Sequence, residues 1–212
     1  CDDVIRLYGA EAHYWIADTV ARTRIRRAVA LGKRGEHGKE LANYDEVVRL
    51  YGDSEEWLLR RHAAKALMFK AVTLNDADQS AAEMECYDEV LRRYAEDAHD
   101  EIRAVAADAL IYKGMSLGAI AEDAAEDTGV REIDAEIACY DEAVARYGAE
   151  EAVGLKRAVA EALLHKAETL LEAERVGEAT QCLDRVVAGY AAIDDEDLQE
   201  IVQDARALRA DI

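Results

Sequence analysis

Proline is missing from all 212 residues, and aromatic residues make up only 6% of them, with a single Phe and two Trp. With no proline to break a helix, and with Ala, Leu, Glu and Arg abundant, the composition favours α-helix. A core exists, since about half of the residues (51%) are hydrophobic, but alanine and leucine must fill it in place of large rings. Positive charge is also scarce: 26 Lys and Arg face 46 Asp and Glu, a formal net charge of −20. A field of that sign repels phosphate backbones, which argues against nucleic acid as a partner. No apolar run approaches the roughly 20 residues of a membrane-spanning helix, so no membrane role is expected. No signal peptide and no glycine-rich phosphate loop is visible. The sequence begins with Cys1, not Met, and is expected to be a processed or truncated piece of a longer chain.

What is present is a repeat. Tyr44-Asp45-Glu46-Val47-Val48, Tyr87-Asp88-Glu89-Val90-Leu91 and Tyr140-Asp141-Glu142-Ala143-Val144 resemble one another, with weaker copies at Cys1-Asp2-Asp3-Val4-Ile5 and Leu183-Asp184-Arg185-Val186-Val187. Their aspartates are spaced by 43, 43, 53 and 43 residues, and a tyrosine follows each at a constant offset: Tyr8, Tyr51, Tyr94, Tyr147 and Tyr190. A second column keeps the same step: Arg27-Ala28, Lys70-Ala71, Lys113-Gly114 and Lys166-Ala167, then Leu31, Leu74, Leu117 and Leu170. Repeats therefore start near residues 1, 44, 87, 140 and 183 of one continuous repeat domain, 1–212. Periods of about 20–50 residues signal solenoids, in which each unit buries its apolar face on the next.

Each repeat has room for two helices. Ala64, Leu67, Ala71 and Leu74 lie on one helical face, as do Met84, Tyr87, Leu91 and Tyr94. The polar run Asn75-Asp76-Ala77-Asp78 separates them as a turn, and Gly52 and Gly148 are expected to stop the second helices. The spacing predicts helices near 1–8, 12–33, 36–51, 55–76, 80–95, 99–120, 131–147, 151–173, 176–191 and 195–210. The longer third step fits an insertion at 121–131, which should extend a helix or form an acidic protrusion. It is either tolerated drift or a partner-contacting loop.

Leu110/Gly114/Leu117, Leu67/Ala71/Leu74 and Leu163/Ala167/Leu170 give the large–small–large pattern of a tetratricopeptide-repeat first helix. Tyr44, Tyr87 and Tyr140 take the aromatic position of the second helix. The chain thus resembles the tetratricopeptide superfamily in a long-period form, 43 residues against roughly 34. It departs from the pattern in lacking the closing proline and in carrying Glu40, Glu83 and Glu136 where a small residue, as at Ala179, is usual. The resemblance implies an all-α, right-handed solenoid of antiparallel helix pairs that holds a peptide or helix of a partner in a concave groove. By position that groove presents Arg22, Ile25, Val29 and Lys33, then Lys65, Met68, Val72 and Asn75. Ile111 and Met115 follow, then Glu161, Leu164, Glu168 and Glu172. Such a surface is basic at one end, apolar in the middle and acidic at the other. Ile25 and Val29 stand where the chaperone-tail-binding members use Lys and Asn, so chaperone tails are not expected.

Cys86, Cys139 and Cys182 recur at one repeat position, about 10 Å apart by helix-packing distances, too far for disulfides and without zinc spacing. They are expected in the core, in a reducing, cytoplasmic setting. His13, His37, His62, His99 and His165 share no repeat position, and no nucleophile–base pair emerges, so no catalysis, metal or cofactor is expected. The aspartate column and the base column read either as ion pairs fixing helix register or as a charged rail for a ligand. The functional expectation is a non-catalytic protein–protein scaffold, a sensor or adaptor segment of a larger bacterial protein. The alternative is a module that self-assembles into homo-oligomers through uncovered solenoid ends.

Overall fold

A computed structural model describes residues 2, 3, 5, 14–128 and 133–212, with side chains for all of these except 125–128. The described residues form nine α-helices and no strand. They are α1 (Tyr14–Gly32), α2 (His37–Tyr51), α3 (Trp57–Asn75), α4 (Ser80–Tyr94), α5 (Asp100–Thr128), α6 (Asp134–Tyr147), α7 (Val153–Glu172), α8 (Val176–Tyr190) and α9 (Glu196–Ala210). Asp2, Asp3 and Ile5 are also helical; the rest of the helix expected near 1–8 lies outside the described residues.

The turns repeat as faithfully as the helices. After α1, α3 and α7 the chain turns through one left-handed residue: Gly35 (φ 75°), Asp78 (φ 55°) or Glu174 (φ 58°). The next amide returns to the same leucine column, Glu36 N to Leu31 O, Gln79 N to Leu74 O and Arg175 N to Leu170 O, at 3.0, 2.9 and 2.7 Å. These bonds close the helix as a Schellman-type cap. The stop expected from glycine at the second helices works otherwise. Gly52 (φ −59°) and Gly148 (φ −65°) are right-handed, and each simply adds one more helical bond, to Val48 O and Val144 O.

Where the other first helices turn, α5 runs on through the insertion to Thr128, so the inserted segment begins as helix; residues 129–132 lie outside the described residues. Asp100–Ala124 is also apolar enough, at a mean hydropathy of 1.3, to cross a membrane by length and composition alone. That corrects the sequence reading, which found no such run. Half of the apolar window is buried inside the protein.

The chain divides into two compact units, Cys1–Ala106 and Ala107–Ile212, with the boundary inside α5. In the first unit α1, α2, α3 and α4 pack consecutively, and α1 also meets α3. In the second, α6 to α9 pack consecutively, and α7 also meets α9. The core is built from the repeat columns. Tyr44, Val47, Ala71, Leu74 and Tyr94 are buried in the first unit, and Tyr140, Ala143, Ala167, Leu170 and Leu183 in the second. Tyr94 donates through its hydroxyl to Gly52 O at 3.1 Å, tying the ends of two second helices together.

Candidate functional site: an acid-lined pocket over a buried glutamate

The second helices carry a polar column that sequence reading registered only as a departure from pattern. Glu40, Glu83 and Glu136 are all buried. Each accepts through Oε1 a hydrogen bond from the tyrosine one turn later: Tyr44 at 3.3 Å, Tyr87 at 3.0 Å and Tyr140 at 3.2 Å. A carboxylate and a phenol four residues apart on a helix share one face, which makes this pairing local and repeatable. Burial, with the adjoining carboxylate, pushes the Tyr44 and Tyr140 hydroxyls far above the ordinary tyrosine range, so both stay protonated donors.

A long side chain fits there because the facing first helix is cut back. A Cβ at Gly32 would overlap the Glu40 carboxylate, and one at Gly118 would stand 2.7 Å from Glu136 Oε2. In the repeats of Glu40 and Glu136 the small residue expected in the second helix has in effect moved to the first, as Gly32 and Gly118, whereas Glu83 faces Asn75. Nitrogen meets the opposite carboxylate oxygen of Glu40 and of Glu83: His37 Nδ1 lies 3.2 Å from Glu40 Oε2, and Asn75 Nδ2 donates to Glu83 Oε2 at 3.1 Å. In the third repeat Thr169 Oγ1 donates to Glu136 Oε1 at 2.7 Å, and Oε2 faces Gly118.

At that point the second unit has a pocket of about 200 Å³. Met115, Gly118, Ala119 and Glu122 of α5 line one side, and His165, Glu168, Thr169 and Glu172 of α7 line the other, over Glu136 and Tyr140 of α6. Glu136 is only 5% exposed. His165 stacks on Tyr140 with ring centroids 6.1 Å apart and holds its Nδ1 3.0 Å from Glu168 Oε2. Phe69 stacks in the same way on Tyr44 in the first unit, at 6.0 Å.

The residues expected in a groove divide three ways. Val72 and Met115 are exposed (46% and 43%), as are Arg22, which lies 3.6 Å from Asp18, and Glu168. Ile25, Val29, Lys65 and Met68 are half-buried. Ile111 (3% exposed) and Leu164 (8%) are core residues, which corrects their place in the groove. Each sits one position from the outward-facing residue, Tyr112 or His165, and a helical step of about 100° turns it inward. Phe69 and Tyr112 were missed; both are exposed. Their signal was the repeat step itself, since Phe69, Tyr112 and His165 hold one column beside Val72, Met115 and Glu168. Met115 and Glu168 are brought together in the pocket.

The aspartate and base columns pair with each other. Asp2 meets Arg27 at 2.8 Å, Asp45 meets Lys70 at 2.7 Å, Asp141 meets Lys166, and Asp184 meets Arg209 at 3.2 Å. Arg209 extends the base column by one repeat and went unnoticed in the sequence. Cys86, Cys139 and Cys182 are buried thiols outside any disulfide. Among the described residues no group of three or more His, Cys, Asp or Glu is arranged to hold a metal ion. The sequence matches no family model and no curated protein.

Proposed function

We propose that the chain is a tetratricopeptide-like, right-handed α-solenoid acting as a non-catalytic scaffold, with a peptide or helix of a partner protein held along the first helices. The observation that carries this reading is the exposed apolar pair repeated at one position, Phe69 with Val72 in one unit and Tyr112 with Met115 in the other. Large apolar side chains left in water at a conserved register are a recognisable docking feature. The helix-pair turns that recur at Gly35, Asp78 and Glu174 support the repeat family. Buried thiols fit a reducing, cytoplasmic compartment.

The test begins with the chain as bait and ends with a measured affinity. A partner recovered by affinity capture is reduced to its binding segment and titrated calorimetrically against the chain. Met68→Glu and Met115→Glu should each weaken that segment by roughly tenfold or more, the cost of a charge in an apolar contact. Unchanged affinity in both variants, with melting intact, removes the first helices as the binding face. Association that grows with protein concentration and needs no partner would favour self-assembly.

A further inference from the structure

We infer that the first-helix face of the first unit takes an acidic segment of a partner polypeptide. Its side-chain carboxylates meet Arg26 and Lys33 of α1, and an apolar residue between them rests on Phe69 and Val72 of α3. The inference names the partner chemistry for the scaffold reading and rests on it.

Charge picks out the place. From Thr19 to Gly35 the chain holds Arg22, Arg24, Arg26, Arg27, Lys33 and Arg34 and no acidic residue, in a sequence where acids outnumber bases 46 to 26. Four of these six are engaged: Arg22 with Asp18, Arg24 with Glu46, Arg27 with Asp2 and Arg34 with Glu36. Arg26 and Lys33 are exposed and form no ion pair with a described residue. The excess acid elsewhere opposes an acidic partner at long range, but within a Debye length of about 8 Å the local charge decides.

Register sets those two cations beside apolar side chains. Arg26 holds the repeat position of Phe69, Val29 that of Val72, and Lys33 that of Asp76. Phe69, Val72 and Asp76 are all exposed, so these positions face outward. Because α1 packs directly on α3, equal positions stand side by side at a helix spacing of about 8–10 Å. The His62–Asp18 contact at 2.8 Å holds the two helices in step, and Phe69 is steadied by its stack on Tyr44. The result is a basic row beside an apolar row. Seven residues of helix carry Lys33 about 10 Å beyond Arg26. A segment that meets both therefore presents carboxylates at that spacing, three residues apart when extended or seven when helical. Burial of its middle residue supplies affinity, and charge supplies selection. A polypeptide suits this surface better than a nucleic acid, since two cations neutralise few phosphates on a chain of net charge −20.

The probes are two synthetic peptides, acetylated and amidated so that only side chains carry charge. One is extended and centred on Glu-Leu-Leu-Glu; the other is an alanine-based helix with two Glu seven residues apart and Leu between them. Each is titrated into the isotope-labelled chain at constant ionic strength and followed by NMR. Saturable shifts at the Val29 and Val72 methyls and the Phe69 ring are expected with one of the two. The same peptide with Gln in place of Glu should bind roughly tenfold more weakly. Arg26→Glu/Lys33→Glu should abolish binding of the glutamate peptide and create binding of a lysine counterpart, which also shows that the variant is folded. Arg185→Glu/Arg206→Glu makes the same charge change at exposed positions of α8 and α9 and should leave binding unchanged. Saturation by neither peptide, equal binding of the glutamine peptide, or equal weakening by the two double variants would overturn the inference. So would tighter binding of oligothymidylate, or self-association that Arg26→Glu/Lys33→Glu abolishes, which would seat a second copy there. A captured partner segment weakened by Met68→Glu and Met115→Glu but indifferent to Arg26→Glu/Lys33→Glu sinks this inference and leaves the scaffold standing. Peptide binding that reverses with the charge swap, beside a captured partner indifferent to Met68→Glu and Met115→Glu, does the opposite.

Discussion

His62 on α3 reaches across to Asp18 on α1, with Nε2 2.8 Å from Oδ1, and both side chains are largely buried. Burial lowers the histidine's pKa; the Asp18 carboxylate works against that shift, while Arg61 and Arg22 add to it, and the net result lies below the ordinary value. The sign for stability follows. An unfolded chain takes up the proton near about pH 6.5, whereas folded His62 takes it up only at lower pH. As pH falls through that window the unfolded state binds more protons, and stability is lost. Denaturant melts between about pH 7 and pH 5 should therefore show stability falling more steeply with acid in the wild type than in His62→Gln. Parallel slopes would mean that the ring titrates as it does in water. Asp97 behaves oppositely. Burial alone would raise its pKa, but hydrogen bonds from Arg60 and His99 prevail and hold it below the usual carboxylate value. Its contribution is lost only in stronger acid, outside the range in which His62 is read.

At the scale of helices, contact between α5 and α6 turns on one missing methyl. A Cβ on Gly114 would stand 2.7 Å from Tyr140 Cε1, 3.0 Å from its Cζ and 3.3 Å from Cys139 Cβ. The tyrosine cannot swing aside cheaply, because its hydroxyl is committed to Glu136. Gly114→Ala gains up to about 1 kcal/mol of helix propensity and incurs roughly 1–3 kcal/mol of overpacking. Urea unfolding should show a net loss of about 1 kcal/mol, and a more stable variant would refute this account of the contact. Alanine occupies the same column in the other repeats, at Ala28, Ala71 and Ala167, so α5 and α6 pack more closely than sequence periodicity could show. Most of the helix pattern was legible because two columns, Asp–Tyr and base–Leu, each kept the 43-residue step. The far end of α5 was not, since an insertion of Ala, Glu and Asp satisfies helix and loop equally. Which groove residues face outward was legible only in part. Met115 and Val72 follow from register, but Ile111 and Leu164 each sit one residue from an outward-facing position, and the helical period alone does not fix where the buried face ends. Glu136 was visible only as an anomaly, because its meaning depends on glycine in a neighbouring helix.

For the molecule as a whole, charge matters more than any one ion pair. The Asp–base pairs that recur along the chain are largely exposed, and such pairs contribute about 0–1 kcal/mol each; they set register more than they add stability. Even with every one of the 26 basic side chains matched, 20 of the 46 acids remain in excess, and their mutual repulsion opposes the folded state. Salt screens both effects, and the repulsion, being the larger, decides the sign. The urea midpoint should rise when NaCl is increased from about 10 mM to about 150 mM. A midpoint that falls would show that attractive networks dominate.

Cys86, Cys139 and Cys182 stand at matching places in three successive repeats, each shut away from solvent, and burial pushes the Cys86 thiol up to about 11. The thiolate is the nucleophile that adds to an electrophile, so a maleimide must wait until a hairpin breathes open. The chain thereby carries its own clocks: the order in which those three peptides acquire a tag, read by mass spectrometry, ranks how often each hairpin lets go of its neighbours.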